Sequence, residues 1–152
     1  DGMKTRIATT AIILWGLTVG VFAYFFVRGW TTTGADNRIA VQLAPAEREL
    51  VLSEMRQMLT SVHGLIDAAA RADPKGMAEA ARASGMSMAA DVNPLLMAKL
   101  PLEFKQLGMS VHEDFDKLSA RLATGIDHST ALGALSEITS RCVACHAVYR
   151  LS

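Results

Sequence analysis

The chain begins with one uninterrupted apolar stretch, and apolar residues recur every three or four positions in the segments that follow. The apolar stretch, residues 7–27, contains no charged side chain. A helix rises about 1.5 Å per residue, so this stretch covers roughly the 30 Å hydrocarbon core of a membrane. The later three-four periodicity is typical of amphipathic helices. The pattern therefore predicts one membrane-spanning helix followed by an all-α domain.

Four amphipathic segments follow residue 44, and a proline suits the first turn of three of them. Their predicted bounds are Pro45–Ala72, Pro74–Ala90, Pro101–Gly125 and Ser129 to the C-terminus. The first helix has an apolar stripe of Val51, Met55, Met58, Val62, Leu65 and Ala69. In the third helix the stripe is Phe104, Gly108, Val111, Phe115, Leu118 and Leu122, and in the fourth it is Ala131, Leu135, Ile138, Cys142, Cys145 and Tyr149. No segment alternates as a strand would, and the fairly short connections favour an antiparallel four-helix bundle.

Three regions follow from this pattern. We expect a transmembrane anchor over residues 1–30, a polar linker without periodicity over 31–44, and the bundle over 45–152. The alternative for the first region is a cleaved signal peptide, whose apolar core has only about 7–15 residues and ends at a small-residue cleavage site. The apolar stretch is longer, and the flank Arg28-Gly29-Trp30 shows no clear cleavage site, so we predict an anchor that contacts lipid through residues 7–27.

The charges beside the apolar stretch predict its orientation. Lys4 and Arg6 precede the stretch and Arg28 follows it, a bias that favours a cytoplasmic N-terminus. The domain would then lie in the periplasm, outside a bacterial inner membrane. Gly16 and Gly20, one turn apart, would let a second helix approach closely, although small residues are also common in membrane helices without a partner.

Composition narrows the function classes. The formal net charge is zero, which gives no basic patch for nucleic acid, so no nucleic-acid partner is expected. The chain has 2 cysteines, Cys142 and Cys145, too few and too close together for the disulfide framework of a small secreted domain. These two thiols are therefore expected to take part in local chemistry.

The cysteines belong to the sequence Cys142-Val143-Ala144-Cys145-His146, a C-x-x-C-H motif. This motif is typical of c-type haem attachment. On a helix its two thiols lie on one side and can bond the haem vinyl groups, and the adjacent imidazole can reach the iron. A structural zinc site would need two further ligands at suitable spacing, and a thioredoxin-type disulfide would need a βαβ context. Neither is present in the sequence, so one covalent haem c with its iron is predicted.

The motif lies close to the C-terminus and continues as CVACHAVYR. In this position it resembles the class II c-type cytochromes, cytochrome c-prime and its low-spin relatives, over residues 45–152. The resemblance implies an antiparallel four-helix bundle with one haem near one end. It also implies that His146 is the proximal iron ligand. Arg150, one turn further, should lie near that ligand or near a haem propionate; the other interpretation is a solvated cation at the helix C-terminus.

The resemblance leaves the sixth iron position open. High-spin members leave it empty and bind small gases, whereas low-spin members fill it with a methionine of the first helix. Met58 or Met55 is the candidate distal ligand here, because both belong to the apolar stripe of that helix. An alternative register would bring Thr60 over the iron, but it would bury charged side chains, which is costly. His63, His112 and His128 lie off the predicted stripes, and we expect each at the surface.

The leading functional interpretation is periplasmic electron transfer, without enzymatic activity, by a membrane-anchored monohaem c-type cytochrome. Such a protein would serve redox partner proteins of a respiratory or photosynthetic membrane complex, as a subunit or as a tethered shuttle. The alternative is a five-coordinate, cytochrome c-prime-like binder of nitric oxide or carbon monoxide. A third interpretation is a subunit in which the bundle mainly scaffolds a complex.

Overall fold

A computed structural model describes residues 2–90 and 92–152, so Asp1 of the predicted anchor and Asp91 lie outside it. Within these ranges 77% of the residues are helical. The α-helices are α1 (Gly2–Arg28), α2 (Pro45–Ala70), α3 (Pro74–Arg82), α4 (Pro94–Lys99), α5 (Leu102–Ala123) and α6 (His128–Val148). The strands are β1 (Thr31–Thr33), β2 (Ile39–Val41) and β3 (Tyr149–Leu151). The prediction of a mostly helical chain with an apolar N-terminal helix is confirmed.

The N-terminal helix α1 contacts the rest of the chain at its C-terminal end. None of its described residues is buried, although most of them are apolar. It is long and apolar enough to cross a membrane, and among the described residues it is the one helix that meets this criterion. Burial in lipid would remove this apolar surface from water, which the folded chain alone does not do.

Residues 31–44 differ from the expected irregular linker, and the prediction that the domain lacks strands is wrong. β1 pairs antiparallel with β2, and β2 pairs parallel with β3. The segment after the anchor is thereby hydrogen-bonded to the segment after the haem motif. Val41 of β2 has an exposed fraction of 0%. Three-residue strands are too short to show a two-residue period, which explains why the sequence pattern did not reveal them.

The main core of the domain comes from helices α2, α3, α5 and α6. Its largest fully buried members include Leu65, Met77, Phe115 and Ile138, one from each of these helices. The stripes predicted for α5 and α6 supply most of their buried side chains. On α2 the buried face is turned slightly, because Ser61 and Ala68 are buried while Met55, Met58 and Val62 are half-buried.

The second predicted helix ends earlier than expected. α3 stops at Arg82, and Met86–Ala89 form a separate 3-10 turn. At this break the backbone N–H of Met86 donates to Asp116 of α5 over 2.9 Å. A β-carbon at Gly85 would collide with the same carboxylate. Glycine therefore admits the Asp116 side chain, and the side chain replaces the backbone acceptor that a continued helix would supply.

His112 is not at the surface, which corrects the prediction for this residue. It is 5% exposed, and its Nδ1 lies 2.8 Å from the Ser84 carbonyl oxygen. The Ser84 hydroxyl donates to the Ser61 hydroxyl over 2.8 Å. This polar layer links α5, the end of α3 and α2 inside the domain. Buried polar groups need such partners. His63 is exposed as expected, and His128 is half-buried.

The anchor is joined to the domain by specific contacts. Gly29 adopts a φ of 65° and is buried against the connection between α4 and α5. The backbone N–H of Trp30 donates to the Lys99 carbonyl over 2.8 Å. The buried Lys105 ammonium donates to the Phe26 carbonyl over 3.1 Å and lies 3.8 Å from the centre of the Phe26 ring. A cation at this carbonyl also complements the C-terminal dipole of α1.

We predict that Gly29→Ala loosens this joint. The new β-carbon would lie 2.5 Å from the Lys99 carbonyl oxygen and the Pro101 nitrogen, at a backbone conformation that disfavours alanine. Protease cleavage between α1 and β2 should become faster. Gly125→Ala is the matched control, since Gly125 also has positive φ, at 89°, but meets no atom within 4 Å. Equal cleavage rates in the two variants would contradict the packing of Gly29.

Candidate functional site

The haem motif lies in the last two turns of α6, which ends where β3 begins. Asp127 caps the start of this helix by accepting from the Thr130 backbone N–H over 2.9 Å. Ala131 and Ile138 fix its buried side in the main core. The end that carries the motif therefore projects from a helix whose first half is held rigidly.

Both cysteines are half-buried free thiols. Burial raises the pKa of each thiol, so both stay protonated rather than forming reactive thiolates near neutral pH. Cys142 Sγ lies 3.8 Å from the Ile138 carbonyl oxygen one turn earlier. Cys145 packs against a second apolar cluster, which includes Val41, Phe104 and Tyr149. The two thiols thus lie one turn apart on the inward side of α6.

A cleft of about 180 Å³ opens beside this end of α6. It is lined by residues of α2, the turn before β2, α5, α6 and β3. They are Arg38, Arg48, Leu52, Met55, Phe104, Cys145, His146, Tyr149, Arg150 and Leu151. The cleft therefore brings together four residues that the sequence singled out: Met55, Cys145, His146 and Arg150. Cys142 lies one turn back along α6, outside the lining.

Three arginines give the cleft a positive charge. Arg38 donates to the carbonyl oxygens of His146 and Tyr149 over 3.0 and 3.4 Å. It also pairs with Asp36 at 2.7 Å, and Arg150 approaches the same carboxylate at 3.6 Å. The hydrogen bond from Arg38 lowers the pKa of Asp36 below its ordinary value. Arg48 is the third cation of the lining, and Asp36 pairs with only two of the three guanidinium groups, which favours an anionic ligand.

Tyr149 forms one wall of the cleft. Its ring meets Phe104 edge to face, with centroids 5.4 Å apart and planes at 87°. Its hydroxyl donates to Glu103 over 3.1 Å. Burial and the neighbouring Glu103 carboxylate raise the pKa of Tyr149 to about 12, so the phenol stays neutral and keeps this hydrogen bond at physiological pH. Aromatic pairing and the hydrogen bond together fix the start of β3.

The two candidate methionines occupy different surroundings. Met55 lines the cleft and packs against the cluster that contains Tyr149. Met58 packs instead against the main helical core. Thr60 is exposed, in agreement with the rejection of the register that would turn it inward. Met55 is therefore the methionine on the same cleft as His146.

The donor set fits a haem better than a bare metal ion. Among residues 2–90 and 92–152, no group of three or more His, Cys, Asp or Glu is arranged to hold a metal. A haem needs only one or two protein ligands, because the porphyrin supplies the other four. The cleft is smaller than the roughly 300–1,000 Å³ of typical ligand pockets. Direct contact between α2 and α6 is sparse, however, and a cofactor held by thioether bonds would need less enclosure than one held by non-covalent contacts alone.

Sequence reasoning missed several residues of the cleft. Arg38 lies in the segment predicted to be an irregular linker, and Arg48 lies in the first turns of α2, where an exposed cation is ordinary. Phe104 and Tyr149 were expected in apolar stripes, without a role at the site. Only the pairing of β2 with β3 brings Arg38 to the end of α6, and no local sequence signal indicates that pairing.

Comparison of the chain with protein-family models, curated proteins and solved structures gave no significant match. The resemblance to class II c-type cytochromes therefore depends on the residues of the haem motif and on their position in the chain. Any functional conclusion has to come from the arrangement of side chains around the cleft.

We predict that Arg38→Ala destabilises the end of α6. Two carbonyls there would lose their shared guanidinium donor, at a cost of about 1–3 kcal/mol. Amide hydrogen exchange over residues 146–152 should become faster. Arg48→Ala is the control, because it removes a charge from the same cleft and Arg48 has no side-chain hydrogen bond to α6. Equal exchange in both variants would show that charge alone, and not the hydrogen bonds, matters.

Proposed function

We propose that the chain is a membrane-anchored monohaem c-type cytochrome of the class II kind, an antiparallel four-helix bundle that transfers electrons in the periplasm. One observation supports this most strongly. Cys145 and His146 of the C-x-x-C-H motif share a single cleft with Met55, an aromatic pair and three arginines. That combination offers covalent attachment, axial ligation and charge neutralisation to one flat, anionic cofactor.

Each of these residues has a separate task in the proposal. The Cys142 and Cys145 thiols form thioether bonds by adding across the two haem vinyl groups. His146 binds iron through an imidazole nitrogen, while the arginines Arg38 and Arg150 pair with the propionates. When bound, the haem supplies a one-electron iron couple. Leu52, Phe104 and Leu151 line the cleft and exclude water from it, and this burial is one of the means by which a protein tunes the potential.

The location of Met55 favours electron transfer over gas binding. A thioether that occupies the sixth iron position blocks small ligands, and its exchange with them is slow. Met55 lines the cleft, whereas Met58 belongs to the helical core. We therefore assign Met55 as the distal ligand in this proposal. A gas-binding cytochrome would instead need that position to be free.

The joint at Gly29 favours a membrane-complex subunit over a loosely tethered shuttle. Lys105, Trp30 and Gly29 connect α1 directly to the domain, and β1 follows at once. An anchor held in this way keeps one face of the domain toward the membrane. In the proposal α1 spans a bacterial inner membrane with its N-terminus in the cytoplasm. Gly16 and Gly20 have no atom within 4 Å of an added β-carbon and are free to meet a neighbouring helix.

The first test is covalent haem attachment. Cys142→Ala and Cys145→Ala should each remove one thioether bond, and the double variant should lose all haem on a denaturing gel stained for haem. Ser140→Ala, an exposed position on the same helix, is the control and should keep full staining. Haem that stays on the denatured double variant would contradict the attachment.

The second test compares the two methionines. Met55→Leu should keep the fold at a cost below about 1.5 kcal/mol, since leucine preserves the apolar volume. It should open the sixth iron position, so the reduced protein would bind carbon monoxide much faster than the wild type. Met58→Leu, the same change in the helical core, should leave the rate unchanged. A wild-type protein that is high-spin and binds carbon monoxide at once would instead favour the gas-binding alternative.

A further inference from the structure

We propose that a second cleft, between the end of the anchor and the domain, binds the head group of a lipid-soluble hydroquinone. This inference rests on the proposed function, because it takes α1 as membrane-spanning and the first cleft as the haem site. The ligand would be the electron donor that reaches the protein through the membrane. The second cleft shares one side chain, Tyr149, with the first.

The second cleft lies where the chain would leave the lipid. Its volume is about 510 Å³, within the roughly 300–1,000 Å³ of typical small-molecule sites. The last turn of α1 forms one wall, through Val27 and Arg28. Strand β1, the start of α5 and Tyr149 form the remainder. If α1 spans the membrane, a site at its last turn lies at the lipid–water boundary, where a lipid-borne ligand can enter without crossing water.

The polar groups of this cleft suit a neutral ligand with hydroxyl donors. The acceptors are the Glu103 carboxylate, the Gln106 amide oxygen and the hydroxyls of β1. Arg28 is the one cation in the lining. Its guanidinium already donates to the Tyr24 hydroxyl over 2.7 Å and lies 5.7 Å from the centre of that ring. A phosphate head group would therefore meet an engaged cation and a carboxylate. One hydroxyl of a hydroquinone can instead donate to the Glu103 carboxylate, which accepts one hydrogen bond from Tyr149, and the other hydroxyl can donate to the Gln106 amide oxygen.

Apolar side chains complete the match with an aromatic head group. Val27, Ile39 and Leu102 line the same cleft, so a ring can bury its faces while its hydroxyls reach polar atoms at the rim. Cofactor and ligand sites commonly combine an apolar lining with a few fixed polar groups. The isoprenoid tail of such a ligand would continue along the apolar surface of α1.

Tyr149 connects this site with the proposed haem site. Tyr149 directly follows α6, the helix that carries Cys145 and His146. The Tyr149 hydroxyl donates to Glu103 of the second cleft. Oxidation of a hydroquinone to a quinone releases two electrons and two protons. Each electron would pass in turn to the proposed haem, reducing its iron from the ferric to the ferrous state, and a one-electron redox partner protein would reoxidise the iron between the two transfers. The protons would pass through the Glu103 carboxylate to water.

Fluorescence of Trp30 can test binding without measuring electron transfer. The chain has 2 tryptophans, Trp15 and Trp30, and Trp30 lies in the chain between Arg28 and Thr31 of the lining. The full chain carrying Trp15→Phe would be placed in phospholipid nanodiscs and titrated without oxygen with decylubiquinol, the hydroquinone form, while the emission of Trp30 is followed. We expect saturable quenching. Quenching that only rises in proportion to the hydroquinone dissolved in the lipid would overturn the proposal.

Two variant pairs give the test its specificity. Gln106→Leu and Glu103→Gln should each weaken binding by up to about tenfold, the effect of losing one hydrogen bond. Gln57→Leu and Glu113→Gln make the same changes at exposed positions outside the cleft and should bind as the parent does. Equal binding in all four would refute the assigned site.

Two further readouts separate the possible failures. If added anionic phospholipid displaced the hydroquinone at constant total lipid, the cleft would be a lipid head-group site, and this result would overturn the proposal. The visible spectrum of the same samples reports haem attachment independently. A protein with covalent haem but no saturable quenching would refute the hydroquinone site alone, whereas saturable quenching without haem would refute the proposed electron transfer alone.

Discussion

The parallel pairing of β2 with β3 is the interaction on which the rest of the structure depends. It hydrogen-bonds the segment after the anchor to the last residues of the chain. The pairing brings Arg38 to the end of α6 and turns Tyr149 inward against Phe104. Because successive side chains of a strand point to opposite faces, a shift of one residue would turn Tyr149 outward. Both clefts have Tyr149 in their walls, so a few backbone hydrogen bonds determine the geometry of both.

The domain contains two apolar clusters, one in the helical core and one beside the first cleft. The larger one, from α2, α3, α5 and α6, contains the fully buried Leu65 and Phe115, and its close packing accounts for most of the burial that drives folding. The smaller one gathers around Tyr149 and is contacted by half-buried Met55 and Cys145. A half-buried side chain can still exchange a packing contact for a bond to a ligand. Met58 is half-buried as well, so what distinguishes Met55 is its place in the lining of the first cleft, whereas Met58 packs against the main core.

The helical parts of this fold were predictable because their signal repeats over many residues. The stripe of α5 holds from Phe104 to Leu122, and the predicted start at Pro74 agrees with α3, whereas the short helix α4 was not predicted. The C-x-x-C-H motif was equally visible, since its residues are adjacent in sequence. The remainder depends on contacts between distant residues. The break after α3 requires Asp116 from another helix, the burial of His112 requires the Ser84 carbonyl, and the sheet joins residues from both ends of the domain.

The way in which the anchor meets the domain determines what kind of partner the protein can serve. A long flexible linker gives reach and a high effective concentration, but it leaves orientation undefined. Here the buried Lys105 ammonium is bonded to the Phe26 carbonyl, and burial lowers the pKa of Lys105. Separating α1 from the domain would break this charge-assisted hydrogen bond and the contact with the Phe26 ring. The joint therefore resists bending. Reach is lost and orientation is gained, and in the proposed function this arrangement would suit electron exchange with a donor in the membrane and a partner held at a fixed position above it.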